Sequence, residues 1–377
     1  MSRDDPDAIG LNLMWMTDHA GGAGRYAREL IAALLTERPG LRLHLFTSRA
    51  EPPGLRSEPW AADVSWTHVP VGLGSPPLHV PAQLYGLRLY GRDLDLLHGL
   101  ANVVPAGTAR LPTVVTVLDL IWLLHPDTVA MAPRLRALWL WQTRRSVDRA
   151  TRVIAISETT KRDVVREFGT DDAKIDVTLL GVRERPAAAA AELAGRVLLS
   201  VAQMLPYKNH ELTIRALALL EEDVRLVIAG FRTPHSDELE ELARQLGVAG
   251  RVDIRGYVTD AELEALYARA DAVVLPSRVE GFGLPALEAM SRGVPVACAR
   301  TPALLEAAGD AALTFSPDSA EGAADAIRRL LENPDPWIAR GRRRAAELSW
   351  QRCAQATLET YRRTWITAKA SAGHGRR

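Results

Sequence analysis

The chain has 377 residues, 47% of them hydrophobic and 24% charged, with 46 Lys+Arg against 46 Asp+Glu and hence a formal net charge of zero. That length and composition predict a globular protein of two domains with a large core, and the missing basic excess argues against a nucleic-acid binder. Two cysteines, Cys298 and Cys353, are too few for a disulfide framework and fit a reducing compartment. No apolar stretch is long enough to span a bilayer, and the start "MSRDDPDAIG" lacks a secretory apolar run. The expected location is the cytoplasm, with peripheral contact to the inner face of the membrane left open.

In chain order, "LNLMWM" (11–16) reads as a strand, followed by a Gly-rich turn and the helical pattern "GRYARELIAALL" (24–35). Further strand-like runs are "LRLHLFTS" (41–48), "LDLLHGL" (94–100), "TVVTVLDL" (113–120), "RVIAIS" (152–157) and "KIDVTLLG" (174–181). A periodic segment, "APRLRALWLWQTRRSVDRA" (132–150), separates two of these, and "VRERPAAAAAELAG" (182–195) reads as a linker. A second series follows: "RVLLSVAQ" (196–203), "VRLVIAG" (224–230), "RVDIRGYV" (251–258), "DAVVLPS" (271–277), "VPVACA" (294–299) and "AALTFSP" (311–317). Amphipathic stretches such as "DELEELARQLG" (237–247) and "DAELEALYARA" (260–270) lie between them. Apolar strands alternating with amphipathic helices predict an α/β protein of two Rossmann-like domains, each a parallel sheet covered on both faces. Ligands of such sheets bind beyond the carboxyl ends of the strands, so chemistry is sought in strand-to-helix turns.

The turn "RVEGFGLPALEAM" (278–290) places Glu280 and Glu288 around Gly281, Phe282, Gly283 and Leu284. Pro285 suits the first turn of a helix, which puts Glu280 in the loop and Glu288 about one turn into the helix. The glycines allow close backbone approach, and free amides at a helix start attract a diphosphate. Carboxylates are acceptors suited to hydroxyls, one for a transferred hexose and one for a ribose. The plainer alternative is that Glu288 only complements the helix dipole and Glu280 is solvated.

"SRVEGFGLPALEAMSRGVPVACARTPALLEAAGDAALTFSP", together with "GGAGRYARELIAAL", "VIAISETTKRDV" (153–164), "LPYKNHELTIRAL" (205–217) and "LSWQRCAQATLETY" (348–361), resembles the large retaining glycosyltransferase family of GT-B fold. The resemblance spans roughly residues 9 to 366 and implies domains at 1–182 and 196–348, joined by a linker at 183–195. It also implies a helix at 349–366 returning to the N-terminal domain; the polar end, 367–377, is expected to lack order. The implied reaction moves a hexosyl or deoxyhexosyl group (mannosyl-, glucosyl- or rhamnosyl-like) from a nucleotide-diphosphate sugar. The receiving hydroxyl belongs to a saccharide, a glycolipid or a small secondary metabolite. A same-face displacement is implied, with the leaving diphosphate helping to deprotonate the acceptor. The resemblance puts Lys208 on the donor diphosphate, Glu280 on the sugar and Glu288 on the ribose, and places Asp119 in the catalytic set with Glu280 and Lys208. Gly22, Gln203, Gly281, Phe282, Gly283 and Leu284 complete the implied donor site.

Two positions depart from the family's pattern. Gln203 replaces a usual basic residue, and Leu118 replaces a usual histidine that touches the donor sugar near its sixth carbon. A leucine there suits the methyl group of a 6-deoxyhexose. Asp93 and Asp95 form a D-x-D, read as a solvated pair before a strand, so neither an essential metal nor another cofactor is expected. In segment 132–150, Leu135, Leu138 and Trp139 share a stripe with Arg134, Arg136, Arg144 and Arg145 around it. That pattern suits either an anionic membrane or an ordinary domain helix with a solvated arginine face. Two other readings stay open: a nucleotide-sugar 2-epimerase-like isomerase of the same fold, and a non-catalytic nucleotide-sugar-binding homologue.

Overall fold

The computed structural model describes residues 5–17, 21–49, 51–52, 54–69, 93–104, 111–129, 131–183 and 189–374. The chain packs as two compact units, one holding the segments up to Leu123, Met131–Leu180 and the helix that begins at Trp350, the other chiefly Gly181–Ser349.

The first unit is a seven-stranded parallel sheet: β1 Ala8–Asn12, β2 Arg42–Thr47, β3 Ser65–His68, β4 Leu96–Gly99, β5 Thr113–Val117, β6 Arg152–Ala155 and β7 Ile175–Val177. Their spatial order is β3-β2-β1-β4-β5-β6-β7. β1 and β5 are buried along their whole length, as strands covered on both faces must be. Edge strand β3 is half-buried to exposed, and its "SWTH" lacks the apolar run that betrays an inner strand. No strand is expected there from sequence.

β1 also lies three residues earlier than the apolar run "LNLMWM" suggests. Asn12 ends it: its Oδ1 accepts from the Met14 amide at 3.2 Å, a local turn that competes with the ladder. Met14 and Met16 remain buried in the loop beyond. Asp95, expected to be solvated, instead accepts hydrogen bonds from the Asp7 and Ala8 amides at 2.8 and 2.9 Å, tying the start of β1 to β4.

The second unit repeats the plan with six parallel strands: β8 Arg196–Val201, β9 Val224–Ala229, β10 Val252–Arg255, β11 Ala272–Leu275, β12 Val296–Ala299 and β13 Ala312–Phe315. The order β10-β9-β8-β11-β12-β13 is the doubly wound 3-2-1-4-5-6 arrangement. The end of the expected linker is not free chain. The Ala191 amide donates to Ala265 O at 3.0 Å and Arg269 Nε to Leu193 O at 2.9 Å, so it docks on the Asp260–Arg269 helix.

The last helix, Trp350–His374, follows the second unit in sequence but belongs to the first. It runs eight residues beyond 366, so the end expected to lack order is helical through His374. A buried polar chain fastens it. His98 on β4 meets the Tyr361 hydroxyl through Nδ1 at 2.7 Å and Thr116 Oγ1 through Nε2 at 2.8 Å. Thr116 Oγ1 in turn meets the Tyr26 hydroxyl at 2.9 Å. With a hydroxyl on each nitrogen the imidazole is satisfied neutral, one nitrogen donating and the other accepting.

Burial pushes the His98 imidazole down from 6.5 to about 3. Between those values the unfolded chain binds a proton that the folded one refuses, so this contribution is complete above the unfolded value and drains as pH falls towards the folded one. From pH 7 to pH 5 it amounts to about 2 kcal/mol. We predict that wild type loses that much more stability than His98→Gln over the same interval, measured by denaturant unfolding. Equal losses would contradict the assignment.

Candidate active site

In the second sheet the strand order reverses between β8 and β11, so the chain leaves these neighbours towards opposite faces. At such a reversal, outside the carboxyl ends, open α/β sheets bind their ligands in a crevice. The turn after β8 carries Gln203 and Lys208, and the turn after β11 carries Glu280. That edge thus carries Gln203 and Lys208 from one diverging loop and Glu280 from the other.

Pro206–Lys208 form a 3-10 turn that ends at Asn209, whose left-handed backbone (φ 58°) redirects the chain into the helix His210–Leu217. Asparagine tolerates that conformation better than most residues. Its buried amide donates to Pro276 O at 3.0 Å and Pro317 O at 2.9 Å, at the ends of β11 and β13. Next to it, Lys208 Nζ lies 2.7 Å from Glu280 Oε1, with the two side chains 15% and 14% exposed. The two residues expected to bind different parts of a donor are therefore bonded to each other. An ammonium carries three donors and a carboxylate several acceptor sites, so one bond exhausts neither.

His210, immediately behind the pair, has Nδ1 3.2 Å from Ser200 Oγ. Burial, aided by the neighbouring Lys208 charge, pushes it down to about 4, which keeps a second cation out of the base of the turn.

Glycine is required at Gly283, where φ is +108° and a Cβ would stand 2.7 Å from Leu304 Cδ2. Gly283 caps the helix Leu284–Ser291, and Phe282 is buried beneath the loop. Glu288 is the helix's fifth residue and only 6% exposed. Its Oε2 accepts from the Tyr267 hydroxyl at 3.0 Å. Of the plainer alternative, the solvated Glu280 is not what the structure holds, since that side chain is only 14% exposed and paired with Lys208.

Backbone hydrogen bonds tie the rim together: Gly230 N to Gly256 O, Met204 N to Phe231 O, and Arg278 N to Tyr207 O, at 3.2, 3.0 and 2.9 Å. A rim with a lysine, two acidic groups and a helix start suits an anion flanked by hydroxyls. Among the described residues, no three His, Cys, Asp or Glu side chains gather as a metal site requires.

Residues 183–347 match the family model described as glycosyl transferases group 1, and residues 20–184 match that of glycosyltransferase family 4. The D-inositol 3-phosphate glycosyltransferase of Kineococcus radiotolerans is 31% identical over 405 residues, covering 92% of this chain and 91% of that protein. The chain belongs to the group 1, family 4 glycosyltransferases. The O-antigen chain mannosyltransferase B of Escherichia coli is 29% identical over 372 residues, covering 90% of this chain and 96% of that one. Among solved structures, Anabaena HepE in complex with UDP and glucose shares the fold with a TM-score of 0.74. It is 18% identical and covers 94% of this chain and 99% of that one. The two-unit α/β architecture is accordingly GT-B.

The remaining sequence-predicted residues of this glycosyltransferase lie apart from the Lys208–Glu280 pair in kind or in unit. Gln203 is exposed on the same rim, at the end of β8, with Gly281 and Leu284 half-buried beside Glu280. Gly22 and Asp119 belong to the first unit, after β1 and β5. No atom lies within 4 Å of where a Gly22 Cβ would stand; the residue whose backbone asks for glycine is Gly21, with φ +51°. Asp119 Oδ1 accepts from the Ile121 amide at 3.1 Å and so starts the short helix Ile121–Leu124. Asn102 Oδ1 accepts from the Leu118 amide at 2.9 Å, and its Nδ2 donates to Asp119 O at 3.1 Å, holding that turn by both ends.

Asn209, Tyr267 and Asn102 were not expected from the sequence. The available signals were local: a polar amide after "PYK", and a tyrosine on the inward face of an amphipathic helix. Neither signal identifies a partner far along the chain.

Proposed function

We propose that this glycosyltransferase is retaining and takes a nucleotide-diphosphate sugar in the crevice beyond β8 and β11. The ion pair between Lys208 and Glu280 at that crevice carries the reading. Lys208 turns one donor to the diphosphate, where its charge stabilises the leaving group, while Glu280 orients hydroxyls of the transferred sugar. Glu288 receives the ribose. The acceptor oxygen bonds to the anomeric carbon on the face the diphosphate leaves, and its proton passes to a departing phosphate oxygen. No metal enters this scheme, because Lys208 and the helix amides supply the positive potential.

HepE's complex with UDP and glucose supports a nucleoside-diphosphate donor, the O-antigen relative supports a saccharide hydroxyl as acceptor, and the inositol 3-phosphate relative a small-molecule hydroxyl. A role in building a polysaccharide follows the Escherichia coli relative. Leu118, standing where the family's pattern has a histidine, makes a 6-deoxyhexose the donor sugar we expect.

We predict that Lys208→Met lowers kcat about 10²–10³-fold, the usual effect of removing one preorganised charge-stabilising donor. Glu280→Gln should cut transfer at least tenfold. Initial rates across UDP-, GDP- and dTDP-linked hexoses and 6-deoxyhexoses, with circular dichroism as a check on folding, provide the test. Near-wild-type turnover in both folded variants, or epimerised nucleotide sugar without transfer, would contradict the reading.

A second, compatible feature concerns location. The helix Pro133–Arg149 carries five arginines and one aspartate, and buries only Gln142, Thr143, Ser146 and Val147, all in its second half. Leu135, Trp139 and Trp141 are 36%, 45% and 47% exposed. Arg145 lies over the Trp141 ring at 5.5 Å. Exposed tryptophans among arginines suit the interface of an anionic bilayer, which would bring the enzyme to a lipid-linked acceptor. Among the described residues no helix is long and apolar enough to cross a membrane. Co-sedimentation should therefore show binding to vesicles containing phosphatidylglycerol but not to pure phosphatidylcholine, with loss of binding in Trp139→Ser/Trp141→Ser. Absence of binding to either vesicle would leave this helix an ordinary domain surface.

A further inference from the structure

Tyr267, on the helix Asp260–Arg269, is completely buried, yet it carries a hydroxyl that must find a partner. That partner is Glu288 Oε2, 3.0 Å away. The tyrosine is itself held. The Arg292 guanidinium lies 4.6 Å from its ring centroid, and Arg292 Nε donates to Glu264 Oε2 at 2.7 Å. Arg292 Nη1 also donates to the backbone carbonyl of Glu288 at 2.6 Å. The Glu264 and Arg292 side chains are only 14% and 10% exposed. Two helices are thus pinned together at both the main chain and the side chain of one glutamate.

That is more bracing than helix packing needs. A glutamate has three torsions, and fixing them costs rotamer entropy that a ligand would otherwise have to overcome. A carboxyl group in a largely dry place also requires hydrogen-bond partners. A tyrosine hydroxyl on a rigid ring meets both needs while occupying only one of the carboxylate's several acceptor directions.

We propose that Tyr267 is a positioning residue for donor binding: it presents the Glu288 carboxylate to the vicinal hydroxyls of the donor ribose, with Arg292 and Glu264 bracing the tyrosine from behind. This rests on the assignment of Glu288 to the ribose made above. Tyr267→Phe keeps the ring, its packing and the Arg292 contact, and deletes only the hydroxyl.

The test is titration calorimetry with UDP, GDP, ADP and CDP, taking forward the tightest binder with its 2′,3′-dideoxy counterpart, on wild type, Tyr267→Phe and Glu288→Gln. In wild type the ribonucleotide should bind more tightly than the dideoxy form. Tyr267→Phe should raise the ribonucleotide Kd about tenfold, the worth of one hydrogen bond to a charged group, and leave the dideoxy Kd unchanged. In turnover, the donor KM should rise with kcat nearly kept. If Tyr267→Phe weakens both ligands equally, or neither, the positioning role is overturned. If Glu288→Gln removes the ribose preference and Tyr267→Phe does not, the proposal alone fails. If Glu288→Gln keeps that preference, or none of the four nucleotides binds, the ribose assignment fails and the proposal with it.

Discussion

A lysine and a glutamate held 2.7 Å apart, each with about six-sevenths of its side chain out of water, are the contact on which the site depends. Two such charges pair well only if the backbone on both sides is fixed, because removing either partner strands the other in a poor solvent. The fold provides that fixity. β8 and β11 are adjacent in the sheet but far apart in sequence, and Asn209 spans from one turn to the strand end of the other. Gly283 then lets the second turn close over Leu304 before the helix starts. The geometry is therefore built before any ligand arrives, and the ammonium keeps donors beyond the one that meets Glu280.

The same logic extends one layer back. Glu288 is held by a buried tyrosine, the tyrosine by an arginine, and the arginine by Glu264. His210 is kept neutral behind Lys208, so the turn concentrates its positive charge at one atom. In the first unit the turn after β5 is handled similarly by neutral groups: Asn102 grips the main chain of Leu118 and Asp119 from both sides. The mechanism proposed here, positioning plus electrostatics, demands this kind of support.

Much of this was legible in the sequence because it is local. Apolar runs marked the inner strands, Pro285 the helix start, and the glycines around Phe282 the close turn; these features give away a doubly wound sheet with chemistry at its carboxyl edge. What stayed hidden depended on distant partners. β3 is an edge strand with no apolar run, and Asn12 stops β1 by a side-chain turn inside a hydrophobic stretch. Asp95 looked solvated until β1's amides were placed against it, and the polar end of the chain looked unstructured although it continues a helix anchored by Tyr361. At the site, spacing showed two glutamates, but it did not show that one is paired with Lys208 and the other buried against Tyr267. Those facts depend on contacts spanning 72 and 21 residues.

The most direct test of the central claim is a crystal structure with the tightest-binding nucleoside diphosphate. A crevice prepared by Lys208 and Glu280 predicts a phosphate oxygen within about 3 Å of Lys208 Nζ, with the ribose hydroxyls turned to Glu288. A nucleotide seated elsewhere, with the Lys208–Glu280 bond intact and unengaged, would contradict it.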